Sequence, residues 1–378
     1  MQVHEMVDLV TSDEPPMRYD TDGIVNAGRR AQKRRRAGWA GVGVFAAVAV
    51  VVGAAIAAPT LTNHPAKTVT PAATPRPLVS ADPFTFTFAG FRAGKFQVQN
   101  PIDASSAYQI AAVYEIGRVT QDYPVAPSNN PPVQAKPMLY AYLTLYRPGA
   151  FDPNKVVGGH RTVVDGHVAV EATGPGETLD ITHSTLAWEY AGNVWAAVDT
   201  FSNSSTDPSI QNLEVLVAGL QGATPTPETV PFSMSYVPAG YKLVEASTHS
   251  MPGLNGIAQA RGGDYGGAIF AKPALPTTGL TQPYGGVDGA NPAGSFEVFV
   301  VPSKNSNEVL PPGQTPPAAP VCEHGFCNLW TADGKVQIEV SSGGRLSNSE
   351  MSKIAKGIQL ANVKDPASWP EVATALVR

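Results

Sequence analysis

The sequence WEYAGNV at residues 188–194 has a counterpart, WTADGKV, at residues 330–336. In each stretch a run that begins with Trp reaches a turn containing Gly. Apolar residues then recur at every second position, which is the period of a strand with one buried face. We therefore predict two β-hairpins that turn at Gly192 and Gly334, with the leading Trp of each as a core residue.

Other landmarks on either side of these hairpins also occur twice, in the same order. Each copy opens with an apolar triplet, continues with a strand-like run that ends before a Pro, and closes with apolar residues at helical spacing. The pairs are FTF at 86–88 with FSM at 232–234, AYLTLY at 141–146 with SFEVFV at 295–300, and helical patterns at 210–220 and 351–358. We interpret residues 84–222 and 230–361 as a tandem duplication.

The order of these elements predicts the fold class of the duplicated region. Several strand signals come first and a single helical pattern comes last, so each repeat is expected to be an antiparallel sheet with a closing helix. This is an α+β arrangement rather than a parallel βαβ one. Residues 362–378 follow as a C-terminal tail with a short helix.

The two cysteines of the chain lie in CEHGFC, residues 322–327. With His324-Gly325 as a two-residue turn, Cys322 faces Cys327 as a non-hydrogen-bonded pair whose α-carbons lie within disulfide range. We predict a local disulfide in a hairpin that replaces the Asp165-Gly166 hairpin of the first repeat. A redox or metal pair is the alternative, but there is no second Cys pair to complete a metal site.

Two long Pro-rich loops fall at equivalent places, at residues 118–137 and 273–294. Loops of this length are unusual in compact domains and are often functional. Tyr123 and Tyr284 are therefore candidates for contact with a ligand or partner. The alternative is that both loops are solvated or disordered insertions.

The N-terminal part contains an uncharged stretch, AGWAGVGVFAAVAVVVGAAIAA, at residues 37–58. A helix of that length can cross the hydrocarbon core of a bilayer, about 30 Å thick. The preceding RRAQKRRR, residues 29–36, is typical of a cytoplasmic flank. The sequence therefore predicts a single-pass plasma-membrane protein with a cytoplasmic N-terminus. A cleaved signal peptide is the alternative, but its apolar core would be shorter and closer to the N-terminus.

The segments around this span complete the predicted organisation. Residues 1–36 form a cytoplasmic head that is mostly disordered and is basic at its end. Residues 59–83, rich in Pro, Thr and Ala, form an extended stalk. The full prediction is an α+β protein with one N-terminal transmembrane helix, residues 37–58, that contacts the lipid bilayer and is followed by two extracytoplasmic repeats.

Composition and motifs exclude several functions. Beyond residue 58 there are 19 Lys and Arg residues against 25 Asp and Glu, so no broad basic surface for nucleic acid is expected. GFRAGK at 90–95 is one residue short of a phosphate-binding loop and lacks the Ser or Thr after Lys, and no Gly-x-Ser-x-Gly elbow occurs. We predict no catalytic residue, no metal ligand and no cofactor. The sequence does not determine the oligomeric state.

A resemblance to a known type of domain rests on four short segments: VPAGYKL at 237–243, FEVFV at 296–300, LW at 329–330 and the helical pattern at 351–360. In these the chain resembles an extracytoplasmic domain of unknown function that is attached to bacterial anti-sigma factors and other single-pass envelope proteins. The resemblance covers 230–361 well and 84–222 less well. It implies a surface module for sensing or binding. Zinc-type anti-sigma factors also carry His and paired Cys in the head, whereas this head has only His4.

The leading functional hypothesis is a single-pass membrane protein that displays tandem, non-catalytic sensor or binding modules to an unknown extracytoplasmic ligand or protein. One alternative is a membrane-anchored regulator whose cytoplasmic head binds a transcription or signalling partner. A further alternative is an envelope hydrolase.

Overall fold

The computed structural model describes residues 80, 82–119, 137–175, 182–200, 209–259, 264–285, 291–306, 310 and 313–376. All of these residues fall within one compact unit of the chain. The predicted head, the predicted membrane-spanning segment and nearly all of the stalk lie outside the described residues, as does Tyr123.

The first repeat is built almost entirely from strands. They are β1 (Thr85–Phe88), β2 (Phe91–Ala93), β3 (Phe96–Val98), β4 (Asp103–Ser105), β5 (Tyr108–Val119), β6 (Pro137–Tyr146), β7 (His160–Val164), β8 (His167–Pro175), β9 (Thr182–Ala191), β10 (Val194–Thr200) and β11 (Gly222–Pro227). Two short helices, α1 (Ile210–Leu213) and α2 (Val215–Gly219), lie between β10 and β11.

The second repeat has fewer strands and slightly more helix. The strands are β12 (Phe232–Met234), β13 (Lys242–Thr248), β14 (Gly266–Ala271), β15 (Ser295–Pro302), β16 (Val321–Glu323), β17 (Phe326–Trp330), β18 (Val336–Ser341) and β19 (Ile358–Leu360). The helices are α3 (Gly253–Gln259), α4 (Asn348–Lys356) and, in the tail, α5 (Val372–Ala375). Short 3-10 turns occur at Ser303–Asn305 and Pro366–Ser368.

Most strands of both repeats belong to one antiparallel sheet. Its order is β16-β17-β18-β15-β14-β13-β4-β5-β6-β10-β9-β8-β7, with β2 and β3 attached beside β5. The two halves run outward in corresponding order from β13 and β4, which pair with each other in the middle. The prediction of a separate sheet in each repeat is therefore wrong. Pairing β4 with β13 removes the exposed edge that each half would otherwise have at that position.

Each repeat also has a small two-stranded sheet. In the first, β1 pairs with β11, and in the second, β12 pairs with β19. In both cases the opening strand of the repeat pairs with the strand that follows its closing helix. The two repeats therefore share this connection, as expected for a duplicated unit.

The two faces of the large sheet are packed differently. One face, here called the helix face, lies under α1 and α2 in the first repeat and under α4 and α5 in the second. The opposite face of the first repeat carries an aromatic cluster that includes Tyr108, Tyr142, Tyr146, Phe151 and Trp195. Helix α3 and residues 280–284, both from the second repeat, pack on this cluster.

The longest helix, α4, shows how the sequence determines a local element. The Ser347 hydroxyl accepts a hydrogen bond from the amide of Glu350 at 3.2 Å, which satisfies one free donor at the start of the helix. Met351, Ile354 and Ala355 then occupy one buried stripe. The helix ends at Lys356, and Ile358 continues into β19.

The predicted fold class is wrong. The described chain is mostly antiparallel sheet, and its helices have only four to nine residues. Among the described residues no helix is long and apolar enough to cross a membrane, so the transmembrane helix and the other membrane-related predictions are not supported. The segment 37–58 itself lies outside the described part. The apolar positions at helical spacing led to an overestimate of the helical content. The helices that form there are short and only cover one face of the sheet.

The two Trp-bearing hairpins are present as β9–β10 and β17–β18, but their Trp residues are not equivalent. Trp188 is fully buried on the helix face. In β17 it is Leu329 that packs on that face, so the next residue, Trp330, points to the opposite side. The two turns match in sequence. The face of the sheet to which each side chain points, however, is set by the register with the neighbouring strand.

The cysteine hairpin, β16–β17, occupies a different place from the one predicted. It lies next to β18, which is where β8–β9 lies next to β10 in the first repeat. The Asp165-Gly166 hairpin, β7–β8, is one strand further out. Among the described strands of the second repeat there is no counterpart of β7.

Candidate functional site

The two central strands of the sheet bring together an acidic residue from each repeat. Ala104 pairs with Ala246, and the flanking pairs are Asp103 with Ser247 and Ser105 with Glu245. This register has a local twofold relationship, in which Asp103 corresponds to Glu245 and Ser105 to Ser247. We call the pairing of β4 with β13, together with these two acids, the joint.

Both acids of the joint are fully buried. The amide of Gly253, at the start of α3, donates to Oδ2 of Asp103 at 2.7 Å. Within the described structure, Oδ1 of Asp103 and both carboxyl oxygens of Glu245 have no hydrogen-bond partner of good geometry. A buried carboxylate without donors is costly, so this arrangement favours protonated carboxyls.

The pKa values of the two carboxyls reflect that environment. Burial raises the pKa of Asp103 well above its ordinary range, and the neighbouring Glu245 carboxyl raises it further. Burial also raises the pKa of Glu245, while polar contacts with Asp103 and Tyr108 lower it. These contacts fall short of well-formed hydrogen bonds, so we describe the two acids as close neighbours that compete for protons.

A third buried acid, Glu228, lies close to the pair. Burial raises its pKa, Glu245 raises it further, and Arg147 lowers it. The Arg147 guanidinium is itself buried and donates to the carbonyl oxygens of Ser80, Thr85 and Ser105. Burial lowers the pKa of Arg147 to about 10, which keeps it a cation at neutral pH. Arg147 is therefore a positive charge that acts on Glu228.

Tyr284, a predicted ligand contact, packs against the first repeat. Its amide donates to the Tyr108 hydroxyl at 2.8 Å, and the two rings lie 5.2 Å apart. Its own hydroxyl donates to the carbonyl oxygen of Pro276 at 2.7 Å. Nearby, Leu280 and Ala150 are joined by a main-chain hydrogen bond of 2.9 Å. Residues 280–284 therefore form a strap from the second repeat that covers the aromatic cluster beside the joint.

A fourth acid, Glu297, lies on the same face two strands away. Glu245 pairs with Ile269, and Ile269 pairs with Glu297 across the next ladder. The side-chain amide of Asn291 donates to Oε2 of Glu297 at 3.2 Å. Burial raises the pKa of Glu297 to about 7, and the charges of Glu339 and Glu245 contribute to the rise. A further buried acid therefore lies on the same face as Glu245, two strands deeper into the second repeat.

The oxygens of these acids are enclosed in the described conformation, and the raised pKa values favour their protonated forms. Asp103, Glu228 and Glu245 are 0% exposed, so a substrate cannot reach their oxygens. Within the described residues no three His, Cys, Asp or Glu side chains are grouped so as to hold a metal ion. The chemistry that these groups can perform here is protonation coupled to the packing of the joint.

The remaining predicted site residues lie elsewhere. Cys322 faces Cys327 in the ladder of β16 and β17, with α-carbons 4.0 Å apart and the sulfur atoms at bonding distance. His324 and Gly325 form the turn between them, both with positive φ. This hairpin lies at the far edge of the sheet from β7 and contributes nothing to the joint.

The acids of the joint were missed by the sequence reasoning, although a signal was present. Residues 103–105 read DAS and residues 245–247 read EAS. The same acid-Ala-Ser triplet therefore occurs once in each repeat, on the strand that pairs with the other repeat. A repeated acid inside an apolar setting suggests a buried position with a special role.

Comparison with known proteins identifies no family. No protein-family model matches the chain, and no curated protein shows significant similarity to it.

Proposed function

We propose that this protein is a non-catalytic binding or sensing protein whose two repeats act as one unit. The observation that carries the proposal is the joint, where β4 of one repeat pairs with β13 of the other. The strap at residues 280–284 and helix α3 add contacts from the second repeat onto the aromatic cluster of the first. A structural change caused by binding at one repeat would therefore be transmitted to the other.

The burial of the titratable groups favours binding over catalysis. In enzymes, perturbed acids usually line a cleft that the substrate enters. In this chain the acids with the most raised pKa values are enclosed between the strands and their covers. Their protonation can alter packing, which is a property of a responsive module.

The cysteine pair supports a location in an oxidising compartment outside the cytoplasm. A disulfide persists in such compartments, whereas cytoplasmic thiols are kept reduced. Cys322 and Cys327 are placed at bonding distance in a two-residue hairpin. The proposed ligand is therefore a component of the cell envelope or its surroundings.

A binding screen with the full-length chain tests this function. The probes are cell-wall polysaccharide, peptidoglycan fragments and vesicles of anionic phospholipid, with binding followed by co-sedimentation and calorimetry. The same preparation is assayed for turnover of ester and glycoside substrates. Saturable binding without turnover supports the proposal. Turnover that copurifies with the chain, or no binding to any of the probes, contradicts it.

A further inference from the structure

We propose that the joint is a proton-dependent clamp, held closed while Asp103 and Glu245 hold at least one proton and loosened when both carboxyls ionise. The inference deepens the proposed sensor function, on which it rests, by naming protons as a signal that the two repeats share. The clamp itself can be observed without any ligand.

Asp103 and Glu245 come from directly paired strands, one residue to either side of the Ala104–Ala246 pair. Both are fully buried, and three of their four oxygens have no hydrogen-bond partner among the described residues. Two ionised carboxylates in such a place would repel each other without water to screen them.

The charged and titratable groups around the pair come from several elements. Glu228, between β11 and β12, and Glu297, on β15, add negative charge when ionised. Arg147, after β6, is the cation that acts on Glu228. Tyr108 and Tyr284 contribute neutral hydroxyls, because burial raises the pKa of both. Among the described residues named here the acids outnumber Arg147, so full ionisation leaves this region with excess negative charge.

One hydrogen bond opposes the rise in the pKa of Asp103. The Gly253 amide donates to Asp103 and lowers its pKa, because a carboxylate accepts this bond better than a carboxylic acid does. Burial is the larger influence, so the pKa of Asp103 remains well above its ordinary range. The bond also connects the joint to α3, whose Leu254 carbonyl accepts from the Tyr142 hydroxyl at 2.8 Å. Movement at Asp103 can therefore reach the aromatic cluster of the first repeat.

The direction of the response follows from these shifts. A carboxyl whose pKa is raised in the folded state binds its proton more tightly there than in the open state. Opening is therefore disfavoured at low pH and becomes easier as the pH rises above the ordinary carboxyl range of about 4. The clamp is closed in acid and loosens at neutral to alkaline pH.

Hydrogen–deuterium exchange of the full-length protein between pH 5.5 and pH 8.5 tests the clamp. Exchange is corrected for its intrinsic pH dependence and followed in peptides covering residues 103–108 and 242–248. Peptides covering 168–172 in β8 and 351–356 in α4 serve as the internal reference, because both lie away from the joint. We expect the joint peptides to lose about tenfold more protection than the reference peptides, the effect of one pKa unit.

Three variants make the test specific. Glu245→Gln and Asp103→Asn replace a carboxyl by a neutral amide of the same shape, and each should remove most of the extra loss of protection. Asp199→Asn is the matched control, because burial raises the pKa of Asp199 to about 6 on β10, away from the joint. This control should keep the full response of the joint. If one joint variant fails to fold, the other decides.

The clamp is overturned if wild-type joint peptides change no more than the reference peptides, or if the folded joint variants keep the full response. The outcome is separate from that of the binding screen, because exchange requires no ligand. If the joint peptides show the expected extra loss of protection but no probe binds in the screen, the proposed function is refuted and the clamp remains a property of the fold.

Discussion

Asp103 and Glu245 occupy equivalent positions in the two repeats and lie on neighbouring strands of one sheet, each as the acid of an acid-Ala-Ser triplet. Burying two carboxyls side by side costs stability unless they are protonated or paired with cations. Gly253 supplies one donor, and the charge of Arg147 acts on Asp82 and Glu228. The pair therefore makes the contact between the repeats dependent on protons.

The first prediction concerns global stability and pH. Burial raises the pKa of Asp199 to about 6 and that of Glu297 to about 7, so folding binds protons. The stability from these groups is complete below the unfolded pKa of about 4 and is lost as the pH rises through the folded values. For Glu297 alone the loss amounts to about 3 kcal/mol by pH 8. Urea unfolding at pH 5 and pH 8 measures it, and equal or greater stability at pH 8 contradicts it.

The second prediction isolates Glu297. Glu297→Gln keeps an acceptor for Asn291 and removes the ionisable group, so the free energy of unfolding should rise by about 1–3 kcal/mol at pH 8 and change little at pH 5. Chemical denaturation at both values provides the measurement. Glu323→Gln, at an exposed position, is the control and should have little effect at either pH. A loss of stability at pH 8 in the Glu297 variant argues against the assignment.

The third prediction concerns the strap. Tyr108→Phe removes the acceptor of the Tyr284 amide and leaves that donor unpaired, which should cost about 1–3 kcal/mol. Tyr284→Phe is the matched variant, because its hydroxyl makes an exposed bond to Pro276 and its loss should cost less than about 1 kcal/mol. Urea unfolding of both variants gives the comparison. Equal effects from the two hydroxyls would show that the strap does not depend on Tyr108.

The fourth prediction concerns the cysteines. Without reductant, neither Cys322 nor Cys327 should react with iodoacetamide in denaturant, as mass spectrometry can show. Because the bond closes a very short loop, the Cys322→Ser, Cys327→Ser variant should lose only about 2 kcal/mol of stability. Full alkylation without reductant would contradict both the disulfide and the proposed compartment.

Local elements could be predicted from the sequence because their signals are local. The turns at Gly192 and Gly334, the cap at Ser347 and the apolar stripe of α4 all depend on residues within a few positions of each other. The joint could not be found in this way, because no local pattern states that β4 pairs with β13 across more than a hundred residues. The facing of Trp330 was mistaken for a related reason, since it is set by the partner strand.

At the candidate site, too, local features could be predicted from the sequence and long-range contacts could not. Tyr284 was singled out because of its long loop, but the contacts that give it a role come from Tyr108 in the other repeat. Asp103 and Glu245 were passed over because a single acid in a strand looks like an ordinary exposed residue. Only the comparison of the two triplets, DAS with EAS, separates them from the other acids of the chain.

We infer that the two repeats form one unit through the joint. Native-state hydrogen exchange of the full-length chain in increasing urea at pH 6 tests this claim most directly, by comparing peptides from residues 140–146 and 186–198 with peptides from 296–300 and 336–341. The account predicts that both sets lose protection together, at one urea concentration and with one dependence on urea. Loss of protection in one repeat while the other stays protected would contradict it.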